Sequence, residues 1–404
     1  MNSSESIQSQ SAQAETKHGA VLLLAAVMPT MAIASLVPAL PLLMREFGDV
    51  AGSEFLVPMA LTIPALCVAI FSPLAGWISD RIGRRNLLVV ALLLYAVTGV
   101  LPWFLDSLLQ ILAARVALGI CEAAIMTVST ALLGDYFEGA RRERWIAMQV
   151  AVVSVAAIVL IALGGGMAEL LGSRGPFLLY VLAVPAAIAS ALVLFEPARH
   201  TRAADAFSAP FPYLAVLPLV LITIPVGIVF YTVIVQFGPI LELSGEVSPG
   251  LIGLIGAGGN IGVGAGTLLF ERLKHRTGPG LLSLGLLIAG LGYFGAGLST
   301  DLGMIAAFAI IACIGSGILL PNMLTWTMRR LPADMRGRGT GMWTGAFFLG
   351  QFVAPLVATA SLGITGGLGN TLLVYAALTA VGGVAAAVVS ARSSNRAGVR
   401  YGAQ

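Results

Sequence analysis

The feature that most restricts this chain is a succession of twelve apolar runs, each about as long as a lipid bilayer is thick. They fall at residues 19–43, 55–75, 86–105, 107–133, 146–171, 176–195, 211–241, 249–270, 279–299, 302–327, 340–362 and 369–390. A hydrocarbon core of about 30 Å is crossed by about 20 residues of helix. Lipid offers no water to the backbone, and a helix satisfies its own N–H and C=O groups within one segment. Apolar residues make up 58% of the 404 and charged residues only 10%, far outside the range of a soluble domain. The expected fold class is therefore an all-α membrane protein with twelve transmembrane helices.

The basic residues set the expected orientation. All 22 lysines and arginines except Arg45, Arg115 and Arg174 fall in the tails or in alternate connections, on one side of the membrane if both termini are inside. Such a bias assigns both termini to the cytoplasm. The excess of positive charge then marks loops, not a nucleic-acid surface. The polar start, Met1 to Lys17, lacks the basic head and short apolar core of a secretory signal and reads as a disordered cytoplasmic tail. Cys67, Cys121 and Cys313 lie inside apolar runs and suggest neither a disulfide framework nor a metal site. The five tryptophans lie near predicted helix ends, as an interfacial aromatic belt requires. His18, His200 and His275 lie in tails or loops, and no His/Cys cluster, nucleophile motif or phosphate loop is present, so no enzyme and no cofactor are expected.

The longest polar segment between runs, Glu196 to Pro210, has six runs on either side and reads as a linker. The expected organisation is a cytoplasmic tail at 1–18, a six-helix bundle at 19–195, a cytoplasmic linker at 196–210, a second six-helix bundle at 211–391 and a cytoplasmic tail at 392–404. The second half echoes the first. Glu271-Arg272 with Lys274 and Arg276 follows the eighth run much as Asp80-Arg81 with Arg84 and Arg85 follows the second. The offset of about 190 residues is roughly half the chain, as parallel repeats would give.

Between the second and third runs stands Gly76-Trp77-Ile78-Ser79-Asp80-Arg81-Ile82-Gly83-Arg84-Arg85. The positive-inside rule explains its arginines, but not two glycines at fixed spacing around an acid. This pattern, G-x-x-x-D-R-x-G-R-R, resembles the signature loop between helices 2 and 3 of the major facilitator superfamily. Arg115-x-x-x-Gly119 resembles the helix 4 motif of the same family. The resemblance implies two six-helix bundles that rock about a central site, in a bacterial inner (plasma) membrane, with the single chain as a working monomer. It also implies that Asp80 braces helix 2 against the glycine-rich start of helix 11, Gly337 to Gly341, and locks a cytoplasmic gate formed with Gly76, Arg81, Gly83, Arg84 and Arg85. One departure stands in helix 5, where Ile161-Ala162 replaces the Gly-Pro of many drug-exporting members, although Gly164, Gly165 and Gly166 remain.

Arg115 and Glu122 are the charges well inside a predicted helix. A charge at mid-bilayer costs ~2.5 to 3.5 kcal/mol, so such residues face a cavity or a partner. Seven residues apart, they share a face of helix 4 and stand about 10.5 Å apart along its axis. A carboxylate such as Glu122 is suited to loading and releasing a proton during a transport cycle. In the family the matching arginine is linked to proton coupling or to an anionic group. The alternative for both is a water-bridged pair that orients helix 4. The neutral residues Thr30, Ser35, Tyr231, Gln236, Asn322 and Thr325 could hydrogen-bond a solute or a neighbouring helix. Because helices 1, 4, 7 and 10 line the cavity in the family, the resemblance raises Gln236 and Asn322 above the rest. Pro38, Pro41 and Pro239 sit in matching places on helices 1 and 7 as hinges for an outer gate.

The functional expectation is a secondary transporter of a small organic solute, working by rocker-switch alternating access within the lipid bilayer and coupled to protons through Glu122 and Arg115. Two alternatives stay open: a uniporter in which Glu122 is a substrate ligand, and a membrane sensor that binds a solute without moving it.

Overall fold

A computed structural model describes residues 15–197, 212–332 and 335–401, and among them it holds helices and no strand. Twelve helices are long and apolar enough to cross a membrane. In chain order they are α1 (Thr16–Glu46), α2 (Ser53–Ile82), α3 (Arg84–Phe104), α4 (Leu108–Tyr136), α5 (Gly139–Leu171), α6 (Gly175–Val193), α7 (Tyr213–Val235), α8 (Pro249–Leu273), α9 (Gly278–Leu298), α10 (Leu302–Met328), α11 (Arg336–Thr365) and α12 (Leu368–Tyr401). The chain divides into two compact units, Met1–Pro210 and Phe211–Gln404. The expected tail at 1–14 and most of the expected linker, 198–211, lie outside the described residues.

Two boundaries differ from the hydropathy reading. Residues 16–18, assigned to the first tail, belong to α1, because Glu15 and His18 form a reciprocal capping box at its start. His18 is buried, not exposed in a tail. At the other end α12 continues through Arg392 to Tyr401, where a tail was expected. Helical hydrogen bonding is indifferent to whether the next residue is apolar, so the end of an apolar run need not end a helix.

α1 is not regular. It tightens into 3₁₀ turns at Met28–Thr30 and Val37–Ala39, each with a proline in its first turn. α7 ends at Val235, and after Gln236 a short helix, Phe237–Leu241, carries Pro239. Proline supplies no N–H to the helical ladder, and the backbone locally changes its bonding register.

In the first unit α2 packs along α4, α3 packs against α4 and α6, and α1 packs against α4, α5 and α6. Small residues set the closest approaches. A methyl added at Gly119 would stand 2.6 Å from the Pro64 backbone of α2, and one at Gly164 would stand 2.1 Å from the Ser35 carbonyl of α1. The second unit repeats the pairing: α8 along α10, α9 against α10 and α12, and α7 along α11. There a methyl added at Gly317 would stand 2.1 Å from the Val263 carbonyl, and one added at Gly266 the same distance from that of Ile314. Lipid tails are as apolar as leucine, so close van der Waals packing across small residues is what joins such helices.

Replacing Gly317 by Leu forces the α8 and α10 backbones apart and is expected to cost about 3 kcal/mol, the upper end for overpacking against a neighbour that cannot yield. Thermal unfolding in detergent should show this as a loss of several degrees. Gly363→Ala, where nothing lies within 4 Å of the added methyl, should leave the midpoint unchanged or raised.

Candidate functional site

Arg115 is fully buried in α4 and spends its guanidinium on three neighbouring helices. Its Nε donates to the Ala60 carbonyl of α2 at 2.7 Å, Nη1 donates to the Tyr180 hydroxyl of α6 at 2.7 Å, and Nη2 donates to the Ala32 carbonyl of α1. Both carbonyls are free for a physical reason. Ala60 stands four residues before Pro64, which has no N–H to offer it. The Leu36 N–H that would normally bond Ala32 turns to Ile33 at 3.1 Å instead. The same irregular stretch of α1 receives the Tyr95 hydroxyl on Met28 at 2.6 Å and the Tyr180 hydroxyl on Met31 at 3.3 Å. Hydrogen bonds to a charged donor are worth about 1.5 to 3 kcal/mol each, so three of them outweigh an insertion cost of ~2.5 to 3.5 kcal/mol. No acid forms an ion pair with Arg115 among the described residues.

Glu122, two turns further along the same face of α4, is 5% exposed. Its Oε2 is buried without a hydrogen-bond partner, the one acidic atom in that condition among the described residues. A buried polar atom left unpaired costs about 1 to 3 kcal/mol, more when charged. A proton, a water or a donor on a bound solute would supply the missing partner.

The end of the first unit that carries the α2–α3 connection holds a second polar cluster. Gly83 joins α2 to α3 with φ +99°, a conformation that L side chains rarely adopt. An added methyl there would also stand 2.9 Å from Glu196. The Glu196 carboxylate accepts the backbone N–H groups of Arg84 at 2.6 Å and Arg85 at 2.9 Å, capping the start of α3 where the helix dipole favours an anion. Arg84 bridges Asp80, at 3.0 Å, and Asp135 at the end of α4. Arg85 donates to the Ala191 carbonyl, and the Arg81 guanidinium lies over Trp77, 3.6 Å from its ring centre. A methyl added at Gly76 would stand 3.7 Å from the Thr127 methyl, ordinary contact, and the crowding within this turn lies at Gly83.

Glu196 is held in place from behind. Tyr136 donates to the Phe195 carbonyl, accepts the Phe195 N–H at 3.1 Å and stacks on its ring at 4.4 Å. His18 sets its ring edge against both. An acid that reads as the first residue of a linker is thus part of the motif's own machinery. The signal for it was a lone acid at the end of an apolar run, in a chain whose connections are rich in arginine.

The neutral candidates scatter. Thr30 lies in the first 3₁₀ turn of α1, and Ser35 is fully buried and donates to Met31 at 2.7 Å. Gln236 stands at the break after α7, 4% exposed. Asn322 donates to the Gly278 carbonyl at 3.0 Å and, with Thr325, lines a small pocket beside Lys274, Arg276 and Arg329. Tyr231 belongs to an aromatic cluster with Phe230, Phe347 and Trp343, the last stacked on Phe347 at 5.4 Å. Trp343 and Trp145 are buried, so an interfacial belt does not account for them. The indole N–H of Trp343 and the side-chain oxygen of Gln351, both on α11, have no partner.

The two units share one internal pattern that sequence offsets alone did not reveal. Tyr95 and Tyr180 pack at 5.3 Å in the first unit and Tyr293 and Tyr375 at 5.7 Å in the second. Each pair's first hydroxyl donates to a carbonyl of its unit's first helix, Met28 and Val229 respectively. Arg115 stands one turn before the packing glycine Gly119, and Cys313 stands one turn before Gly317. A buried thiol thus takes the place of the guanidinium.

A family model described as Major Facilitator Superfamily matches residues 22–355 and 219–400. Multidrug resistance protein 1 of Bacillus subtilis is 31% identical over 171 residues, 42% of this chain and 43% of that protein, so the match spans under half of its length. The class E tetracycline resistance protein of Escherichia coli is 25% identical over 352 residues, 82% of this chain and 84% of that one. Among solved structures, a bacterial homologue of the human lysosomal transporter Spinster, inward-facing and occupied, superimposes with a TM-score of 0.76 at 17% identity, covering 94% of this chain and 97% of that one. At that identity the likeness speaks for the fold.

Arg115→Ala leaves two carbonyls unpaired, deprives the Tyr180 oxygen of a donor and is expected to cost about 3 kcal/mol in stability. Arg115→Lys should recover little of it, since an ammonium lacks the planar fork that reaches three helices. Glu196→Ala should cost about 1 kcal/mol through loss of the α3 cap. Thermal unfolding of the purified variants checks both.

Proposed function

This chain belongs to the Major Facilitator Superfamily, and we propose on that footing that it is a proton-coupled secondary transporter of a small organic solute, working by alternating access. The twelve helices and the family together make it an integral, multi-pass membrane protein of a transporter family. The observation that carries the finer reading is the orphaned, buried Oε2 of Glu122, set on a helix that Arg115 ties to three neighbours. A carboxyl with an unfilled partner position is the group that a proton and a solute can compete for or share. Arg115, by holding α1, α2 and α6 around α4, keeps that carboxyl in place through the cycle. Thr30, Ser35, Tyr231, Gln236, Asn322 and Thr325 stay in the reading as cavity residues, with Tyr231 packed in the aromatic cluster that holds Trp343.

The solute we favour has an aromatic or apolar body. This reading draws on the aromatic cluster of the second unit and on relatives named for resistance to drugs and tetracycline. Asp80, with Gly76, Arg81, Gly83, Arg84 and Arg85, serves as a cytoplasmic gate that braces the first half against Gly337 to Gly341, with both termini in the cytoplasm of a bacterial cell and a single chain as the working unit. A uniporter in which Glu122 binds the solute directly is the second reading, and the same unpaired oxygen favours it.

In proteoliposomes, Glu122→Gln is expected to abolish accumulation driven by a pH gradient while sparing counterflow exchange of a transported drug. Loss of both activities would favour the substrate-ligand reading. Accumulation at the wild-type level would exclude Glu122 from proton coupling.

A further inference from the structure

The second unit holds a cavity of about 550 Å³ that the transport reading does not use. It is a slot between α7, α9 and α12, with Trp326 of α10 and Val357 of α11 also in its wall. Along α12 it is lined from Tyr375 through Thr379, Gly382 and Ala386 to Val389, fourteen residues of helix or about 21 Å. Its apolar wall and its length along α12 suit an extended hydrocarbon chain. The only side-chain hydroxyls along it are those of Tyr375 and Thr379. Its flank is open, with Leu378 and Val389 more than half exposed, and in a membrane protein that flank faces lipid. The length exceeds one leaflet of a hydrocarbon core about 30 Å thick.

At Trp326 the slot meets the small pocket lined by Lys274, Arg276, Asn322, Thr325 and Arg329. Three cations stand there against one acid, Glu271, which pairs with Lys274 at 2.7 Å. Arg329 donates to the Lys274 backbone carbonyl at 3.3 Å, which sets its guanidinium beside the turn after α8. Arg276 makes no side-chain hydrogen bond or ion pair with any described residue. The start of α9, at Gly278, lines the same pocket, and its dipole adds to the positive potential.

We propose that the second unit binds an anionic phospholipid, one acyl chain lying in the slot and the phosphate held at its mouth by Arg276, Lys274 and Arg329. Basic pockets between helices at a cytoplasmic face are suited to such headgroups. The apolar slot supplies affinity for any lipid of matching chain, and the cations supply the preference for negative charge.

The test is native mass spectrometry of the full-length chain, delipidated in mild detergent and titrated with phosphatidylglycerol or with phosphatidylcholine of the same acyl chains. One phosphatidylglycerol per chain is expected, bound at least about tenfold more tightly than phosphatidylcholine. Arg276→Ala and Arg329→Ala should each lower that preference about fivefold while leaving phosphatidylcholine binding intact. Ala386→Phe should plug the slot and remove both lipids, and Ala385→Phe serves if that variant misfolds. Equal binding of the two lipids, or unchanged binding in a plugged variant, would overturn the proposal. So would full displacement of lipid by millimolar inorganic phosphate, which would mark a free-anion pocket instead.

Discussion

The constraint on which the rest of this fold depends is that a backbone carbonyl released from a helix in lipid finds no water. Proline and 3₁₀ turns release several of them in α1 and α2. Each release creates a demand that a side chain from another helix has to meet. Arg115, Tyr95 and Tyr180 meet it in the first unit. The intramembrane charge is thus compatible with the membrane because the helices around it are broken, and the breaks are compatible because of the charge. Kinked helices of the kind a moving protein needs are in this way held without being made regular.

The second unit solves the same packing problem with different chemistry. The helix pairings and the tyrosine pair recur, but a thiol replaces the guanidinium. A slot lies beside α7 in the second unit, and Arg115 and Glu122 both belong to the first. Unequal halves are what a transport cycle needs if one carries the titrating group and the other adapts to the solute.

At the basic end of the first unit the polar groups form one connected set. Asp80, Arg84, Asp135 and Glu196 link the ends of α2 and α4 and the exit of α6 to the start of α3. The carboxylate that caps α3 is the residue from which the chain leaves the unit. Exposed pairs such as Asp80 with Arg84 are worth little singly. The cap and the buried Tyr136–Phe195 contact give the set its definition.

The sequence by itself determined the fold class, the number of spans and the residues of the signature loop. Those follow from quantities local to the chain: apolar length against bilayer thickness, a sharp turn at Gly83, and charges that must avoid lipid. It also singled out Arg115 and Glu122, since a charge inside an apolar run is visible without any partner. What those charges touch was decided by tertiary structure alone. That Ala60 lacks its helical bond is legible from Pro64, but that Arg115 on another helix supplies the replacement is not, because spacing along one helix carries no information about which face of another it meets. The same holds for Glu196 under α3, for Asn322 at a basic pocket, for the buried Trp343 and for the slot along α12. Each arises where separate helices come together, and hydropathy describes helices one at a time.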